Sequence, residues 1–200
     1  FDSFCQHVLV ETVSDGQLVC CYRLHLLRES ALIFHSYAAQ HYDLAALAGY
    51  PGPALEMGRF CLHPDWHDPD ILRLAWAAMA RIVDQGGVKL LFGCSSFAGS
   101  DAEVHRPALS CLWAHLAPLK WAPQRLSSVI CPIEPPRDGD DPAKAIQSVP
   151  PLLRTYLAMG GWVSDHAVID KALDTLHVFT AVEIDRIPPA RARALRAIAQ

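Results

Sequence analysis

Two hundred residues with a 52% hydrophobic content provide one full core, or a core with an extension. A charged fraction of 19% is low for a free-standing soluble protein and points to a surface partly covered by a partner, a membrane or further chain. The net charge of −4 excludes the basic footprint of a general nucleic-acid binder, so no nucleic-acid partner is expected. Cysteine is odd in number, seven, without a CxxC pair or zinc-type spacing to histidine. The thiols therefore read as reduced, small hydrophobes of a cytoplasmic protein. No apolar run reaches the roughly 18 residues of a membrane span, and no secretory leader is expected. The chain opens mid-pattern on FDSFCQHVLV, without Met, so upstream residues are expected.

Taken in order, residues 7–13 read as a strand, Ser14-Asp15-Gly16 as a hairpin turn and residues 17–27 as the return strand. Alternation sets Cys21, Arg23 and His25 on one face and Cys20, Tyr22 and Leu24 on the other. A short helix is expected over DLAALA, and Gly49, Pro51, Gly52 and Pro53 then break the chain. Residues 55–62, LEMGRFCL, form the central strand. After the turn HPDWHDPD, Asp68-Pro69 supplies a cap and a first helical proline. Ile71, Leu72, Ala75, Met79, Ile82 and Val83 recur at helical spacing until Gly86-Gly87.

The apolar run 88–94 then completes a βαβ unit, parallel to the central strand. Residues 95–107 read as a loop, 108–116 as a helix stopped by Pro118, and 126–133 as a strand. Helices follow at Pro142 and at Pro150-Pro151, the latter ending at Gly160-Gly161. Residues 162–169 and 176–184 are the last two strands, and a basic helix covers about 189–200. The whole, residues 1–200, is expected to be one α/β domain with a mixed central sheet flanked by helices.

Glu56 and Arg59 are ionisable side chains on an otherwise apolar strand, next to a turn that presents N–H groups at a helix start. That combination suits acyl transfer. Attack of an amine on a thioester needs a neutral amine, a stabilised oxyanion and a protonated leaving thiol. Glu56 is the base of such a scheme, its pKa raised by apolar neighbours, with Arg59 as positioner. The competing reading is a simple Glu56–Arg59 ion pair. Arg23 either faces substrate or pairs with an acid across the sheet. Cys94, Ser95 and Ser96 at a strand end invite a nucleophile, but no GxSxG elbow exists and His105 and Asp101 lack a triad context. Backbone guidance of an extended ligand is the better use of that strand. His63 and His67 flank a proline in a turn, so no metal site is expected. Arg191, Arg193 and Arg196, with Lys120, Arg125 and Arg154, either attract an acidic partner or anionic lipid, or form a solvated face.

The runs LVCCYRL, YDLAAL, LEMGRFCLHPDW, LLFGCSSFAGSD and VPPLLRTYLAMGGWVSDHAVID, in that order, span nearly the whole chain. They resemble the ornithine–acyl-carrier-protein N-acyltransferases, a branch of the GNAT-like superfamily. That family is similar in fold, and in its Glu-x-x-Arg pattern, to acyl-homoserine-lactone synthases and long-chain N-acyl amino acid synthases. The resemblance implies a GNAT-like fold whose first strand and helices lie upstream. It implies transfer of a fatty, often 3-hydroxylated, acyl group from acyl carrier protein to the α-amine of an amino acid. For ornithine this is the first step of ornithine lipid synthesis. No bound cofactor is implied. The donor is acyl carrier protein through its phosphopantetheine thioester, or acyl-coenzyme A.

The site expected from this reading has Glu56 and Arg59 as catalytic residues and Arg23, Asp2 and Asp101 for the amino acid. Phe60, Cys61, Leu62, Phe92, Cys94 and Ser95 serve the acyl-pantetheine arm. Coenzyme A-dependent relatives cradle a pyrophosphate at the helix start, and the acids of HDPD oppose one there. Gln6, Leu173 and His177 depart from the family pattern, which tends to have an acid at 6, an aromatic at 173 and Asp at 177. The acid partner for a second substrate amine is open among Asp2, Asp43, Asp101, Asp165 and Asp170. The protein is expected in the cytoplasm, with peripheral contact at the inner membrane as an option. The rivals are a coenzyme A-dependent acyltransferase, a synthase using another amine, a homoserine-lactone synthase, and a carrier- or acyl-binding module without turnover.

Overall fold

The structure is a computed structural model that describes residues 1–66 and 68–198. Strands β1 (Gln6–Glu11) and β2 (Leu18–Leu27) form a hairpin. Its turn is closed by the Thr12 hydroxyl on Asp15 and by Gly16 at φ 71°. A two-residue strand β3 (Tyr42–Asp43) follows, then β4 (Ala54–Leu62), α1 (Pro69–Gln85) and β5 (Leu90–Ala98). Next come α2 (Ala102–Cys111), β6 (Gln124–Arg125), β7 (Ile130–Pro132), α3 (Pro142–Gln147) and α4 (Pro151–Ala158). The chain closes with β8 (Trp162–Asp170), β9 (Thr175–Glu183) and α5 (Pro189–Ile198). Seven strands lie in the order β1-β2-β4-β5-β9-β8-β7, while β3 and β6 pair separately. Among the described strands β4 and β5 pair in parallel, joined by α1 as the βαβ pattern requires, and the other strand pairs are antiparallel.

The helix between them forms where the sequence caps it. Asp68 accepts the Asp70 N–H at 2.9 Å, and Pro69 occupies the first helical position. Its apolar stripe of Ala75, Trp76, Met79 and Val83 packs on Tyr22, Leu24, Leu55 and Met57 from the sheet. The opposite face of the sheet is covered by the 3-10 turns Ser30–His35, Ala38–Gln40 and Ala45–Gly49, around Tyr42, Phe92, Trp162 and Phe179.

Two departures from regular pairing decide where a cavity can open. The parallel ladder of β4 and β5 lasts only from Ala54↔Leu90 to Glu56↔Phe92. Beyond it the pairing ends; the backbones still touch at the next step, where a Cβ at Gly93 would overlap the carbonyl oxygen of Met57. The second departure lies between β2 and β4. Arg23 opposes Gly58 and Cys21 opposes Cys61, so three steps on β4 match two on β2. This β-bulge carries Arg59 at φ 54°, a left-handed conformation unusual for a side chain of that size.

Several sequence expectations are corrected. Residues 95–107 are not a loop: β5 continues to Ala98, and α2 begins at Ala102 with Asp101 as its cap and Pro107 inside it. The polar Ser95-Ser96 pair and Pro107 mimicked a break. The expected strand 126–133 is confined to Ile130–Pro132. The expected helix DLAALA is a 3-10 turn, with the Asp43 side chain accepting the Ala45 N–H at 2.9 Å.

Candidate active site

A cavity of about 400 Å³ occupies the gap between the diverging ends of β4 and β5, bounded also by α4 and by the β8–β9 hairpin. Glu56 sits where the parallel ladder stops, only 5% exposed. One carboxylate oxygen accepts the Tyr37 N–H and the other the Ala38 N–H, each at 2.8 Å. Burial pushes the Glu56 pKa up, against the pull of these two N–H groups and of Arg23. The two bonds leave lone pairs on both oxygens, so the group can still accept a proton from the cavity side.

Arg59 lines the same cavity and is exposed. Among the described residues no bond joins it to Glu56, so the expected alternative of a Glu56–Arg59 ion pair is not what the fold builds. The bulge turns Arg59 out of the strand's regular alternation instead. Arg23 is 7% exposed and lies on the Glu56 face of the sheet. It donates to Asp2 at 2.7 Å and lies over the rings of Phe1 and Tyr37 at 5.3 and 6.0 Å. Both readings left open for Arg23 keep support: it pairs with an exposed acid near the chain start and it also lines the cavity.

The remaining expected residues divide. Phe60, Leu62, Cys94 and Ser95 line the cavity. Burial holds the Cys94 thiol well above its ordinary pKa, so it is a protonated lining group and a poor nucleophile. Ser95 accepts a hydrogen bond from Thr180 at 2.9 Å. Cys61 is a correction: past the bulge it turns to face Cys21 across the ladder, away from Phe60 and Leu62. Phe92 is another, being fully buried between the sheet and the 3-10 turns. Asp101 is a third; its carboxylate caps α2 by accepting the Glu103 N–H at 3.0 Å. Asp2 contacts Arg23 without lining the cavity. Arg196 is engaged by Asp84 through two bonds of 2.8 Å, which removes it from the expected basic patch.

Tyr37, Asp170, Thr180 and His177 also line the cavity. Tyr37 and Thr180 carried no signal in the sequence, because the 3-10 turn and the final strand reach the cavity only in three dimensions. His177 and Asp170 were visible there only as a departure and as one acid among five. His177 is 3% exposed and belongs to a ring cluster with His41 and Tyr42, at centroid distances of 4.9 and 5.7 Å. Among the described residues no cluster of three or more His, Cys, Asp or Glu is placed to hold a metal, and His67 lies outside them. No described helix is long and apolar enough to cross a membrane.

The family model of the acetyltransferase (GNAT) domain matches residues 1–77. The L-ornithine N(alpha)-acyltransferase of Agrobacterium fabrum is 32% identical over 197 residues, covering 94% of this chain and 67% of that protein. The protein of the same name from Brucella abortus is 30% identical over 196 residues, covering 94% and 70%. Among solved structures, the CoA-dependent acyl-homoserine lactone synthase MesI aligns over 98% of this chain and 69% of its own, at 12% identity and a TM-score of 0.46.

Proposed function

The chain belongs to the L-ornithine N(alpha)-acyltransferase family, and on that premise we propose that it moves a fatty acyl group from a thioester donor to the α-amine of ornithine in the cavity between β4 and β5. The observation that carries this is Glu56: a buried carboxylate, fixed by two backbone N–H groups, at the point where two parallel strands part.

The amine nitrogen attacks the thioester carbonyl carbon, the C–N bond forms and the C–S bond breaks. The proton lost by the amine passes to Glu56, directly or through one water, and Glu56 returns it by the same route to the departing sulfur, which leaves as the thiol. A raised pKa suits this step, since a carboxylate in apolar surroundings is a stronger base than one in water. Arg59, in the bulge, receives the amino acid carboxylate. Past Glu56 and Phe92 the facing edges of β4 and β5 no longer pair with each other. Their free backbone groups suit a pantetheine arm lying between them as an extra strand.

The donor is read from the start of α1. Asp68 uses its carboxylate on the Asp70 N–H, and Asp70 pairs with Arg73 at 2.9 Å. Asp68 stands unpaired by any cation among the described residues and Asp70 holds the nearby Arg73, so this helix start offers a pyrophosphate little, which supports acyl carrier protein over coenzyme A. The test mixes the full-length protein with a 3-hydroxyacyl carrier protein, or the matching acyl-coenzyme A, and a pool of amino acids, and identifies N-acyl products by mass. N-acylornithine from the carrier-protein donor is expected. Product from coenzyme A alone overturns the donor assignment. Tight carrier-protein binding without any N-acyl amino acid overturns the enzyme reading in favour of a binding module.

A further inference from the structure

Ornithine carries a second amine that is cationic at neutral pH, and a site selective for it has to offer that ammonium acceptors rather than leave it in an apolar wall. The five aspartates with that potential have separate fates in the fold. Asp2 is bound to Arg23, Asp43 and Asp101 cap chain turns, and Asp165 lies against the His166 ring. Only Asp170 joins Glu56 as an acid on the cavity wall among the described residues. One of its oxygens accepts the Ala172 and Leu173 N–H groups, at 2.9 and 3.1 Å. The other has no partner among the described residues, and no cation faces it in an ion pair.

A second unpaired acceptor lies on the same hairpin. Tyr42 has one hydroxyl proton, and it is donated to the His177 carbonyl at 2.8 Å. The 3.2 Å contact between the same hydroxyl and His177 Nδ1 therefore has Nδ1–H as its donor. His177 Nε2 is then a bare acceptor, enclosed and without a partner among the described residues, in a side chain that helps to line the cavity. Asp170 and His177 belong to one hairpin: Asp170 opposes Thr175, two residues before His177.

We infer that Asp170 and the neutral His177 imidazole together receive the distal ammonium of the amino acid, making this end of the cavity its specificity pocket. The inference rests on the ornithine reading above. Two other uses fit less well. A metal would need at least a third ligand, and no such cluster exists among the described residues. A proton relay needs a group titrating near neutrality, whereas burial and the neighbouring His41 hold His177 at about 4.

The experiment compares ornithine with norvaline, which has the same carbon chain but no distal amine, as acceptors for the wild type and for Asp170→Asn. Asparagine keeps the oxygen that accepts the two turn N–H groups and removes only the charge, so the hairpin stays closed. The preference in kcat/KM for ornithine over norvaline is expected to fall by about 10- to 100-fold, mainly through KM for ornithine. A preference unchanged by the substitution, in a wild type that acylates ornithine, overturns this assignment alone. A wild type that acylates other amino acids but not ornithine overturns the reading beneath it.

Discussion

Glu56→Gln is expected to lower kcat for N-acylation by at least about 100-fold, the usual contribution of a positioned general base, while the protein stays folded. The substitution preserves size and one acceptor oxygen. Both carboxylate oxygens take a backbone N–H, so the glutamine NH₂ must face the N–H of Tyr37 or Ala38, leaving one donor unpaired. That costs roughly 1–3 kcal/mol. Removal of a charge that burial already disfavours offsets part of it. The experiment separates two roles that the geometry allows. If Glu56 only staples the Tyr37–Gln40 turn to β4, glutamine keeps one staple bond and most of the activity. If it takes the proton, activity is lost although circular dichroism and acceptor binding are retained. Near-normal turnover by Glu56→Gln would remove Glu56 from the mechanism.

The second large effect is on stability. His177 is buried and held at about 4, from an ordinary value of 6.5, by loss of hydration first and by His41 and His166 second, with Asp170 opposing. Between these values the unfolded chain binds a proton that the folded chain does not. Stability from this group is therefore complete above pH 6.5 and is lost as pH falls towards 4, at about 1.4 kcal/mol per pH unit. Over the whole window that amounts to about 3 kcal/mol, a large share of the 5–15 kcal/mol that holds a domain together. Burial shifts His25 and His41 the same way. Glu56, raised by burial, acts with the opposite sign, so total stability is a poor reporter. The difference between wild type and His177→Asn isolates the group. Urea unfolding at pH 7 and pH 5 is expected to show the variant losing about 2 kcal/mol less than wild type on acidification. Equal losses would place the titration elsewhere.

How far the sequence reveals this site can be judged from particular residues. The central strand, the Asp68-Pro69 cap and the parallel crossover were legible because each rests on local chemistry: alternation, a capping carboxylate and a proline without an N–H. The bulge was not, since no residue type announces a left-handed Arg59. Its effect is visible in what went wrong. Regular alternation from Glu56 puts Phe60 and Leu62 on its own face of the sheet. The extra residue moves them to the face that Met57 shares with α1, and sends Cys61 to the other. Phe92 was misplaced for a related reason: β4 and β5 stop pairing at Glu56↔Phe92, a point of tertiary register that no residue type announces. Asp101 was misjudged because a helix containing Pro107 reads as a loop. The specificity pocket needed the β8–β9 hairpin closed before Asp170 and His177 shared a wall.

The central claim is that amine and thioester meet where β4 and β5 separate. A structure of the protein with an acyl-pantetheine amide, which cannot react, and ornithine tests it most directly. The expected result has the arm extended between the two strands, hydrogen-bonded to their unpaired backbone groups, and the α-amine within one water of Glu56. An arm bound elsewhere, with ornithine away from Glu56 and the space between the strands empty, would contradict it.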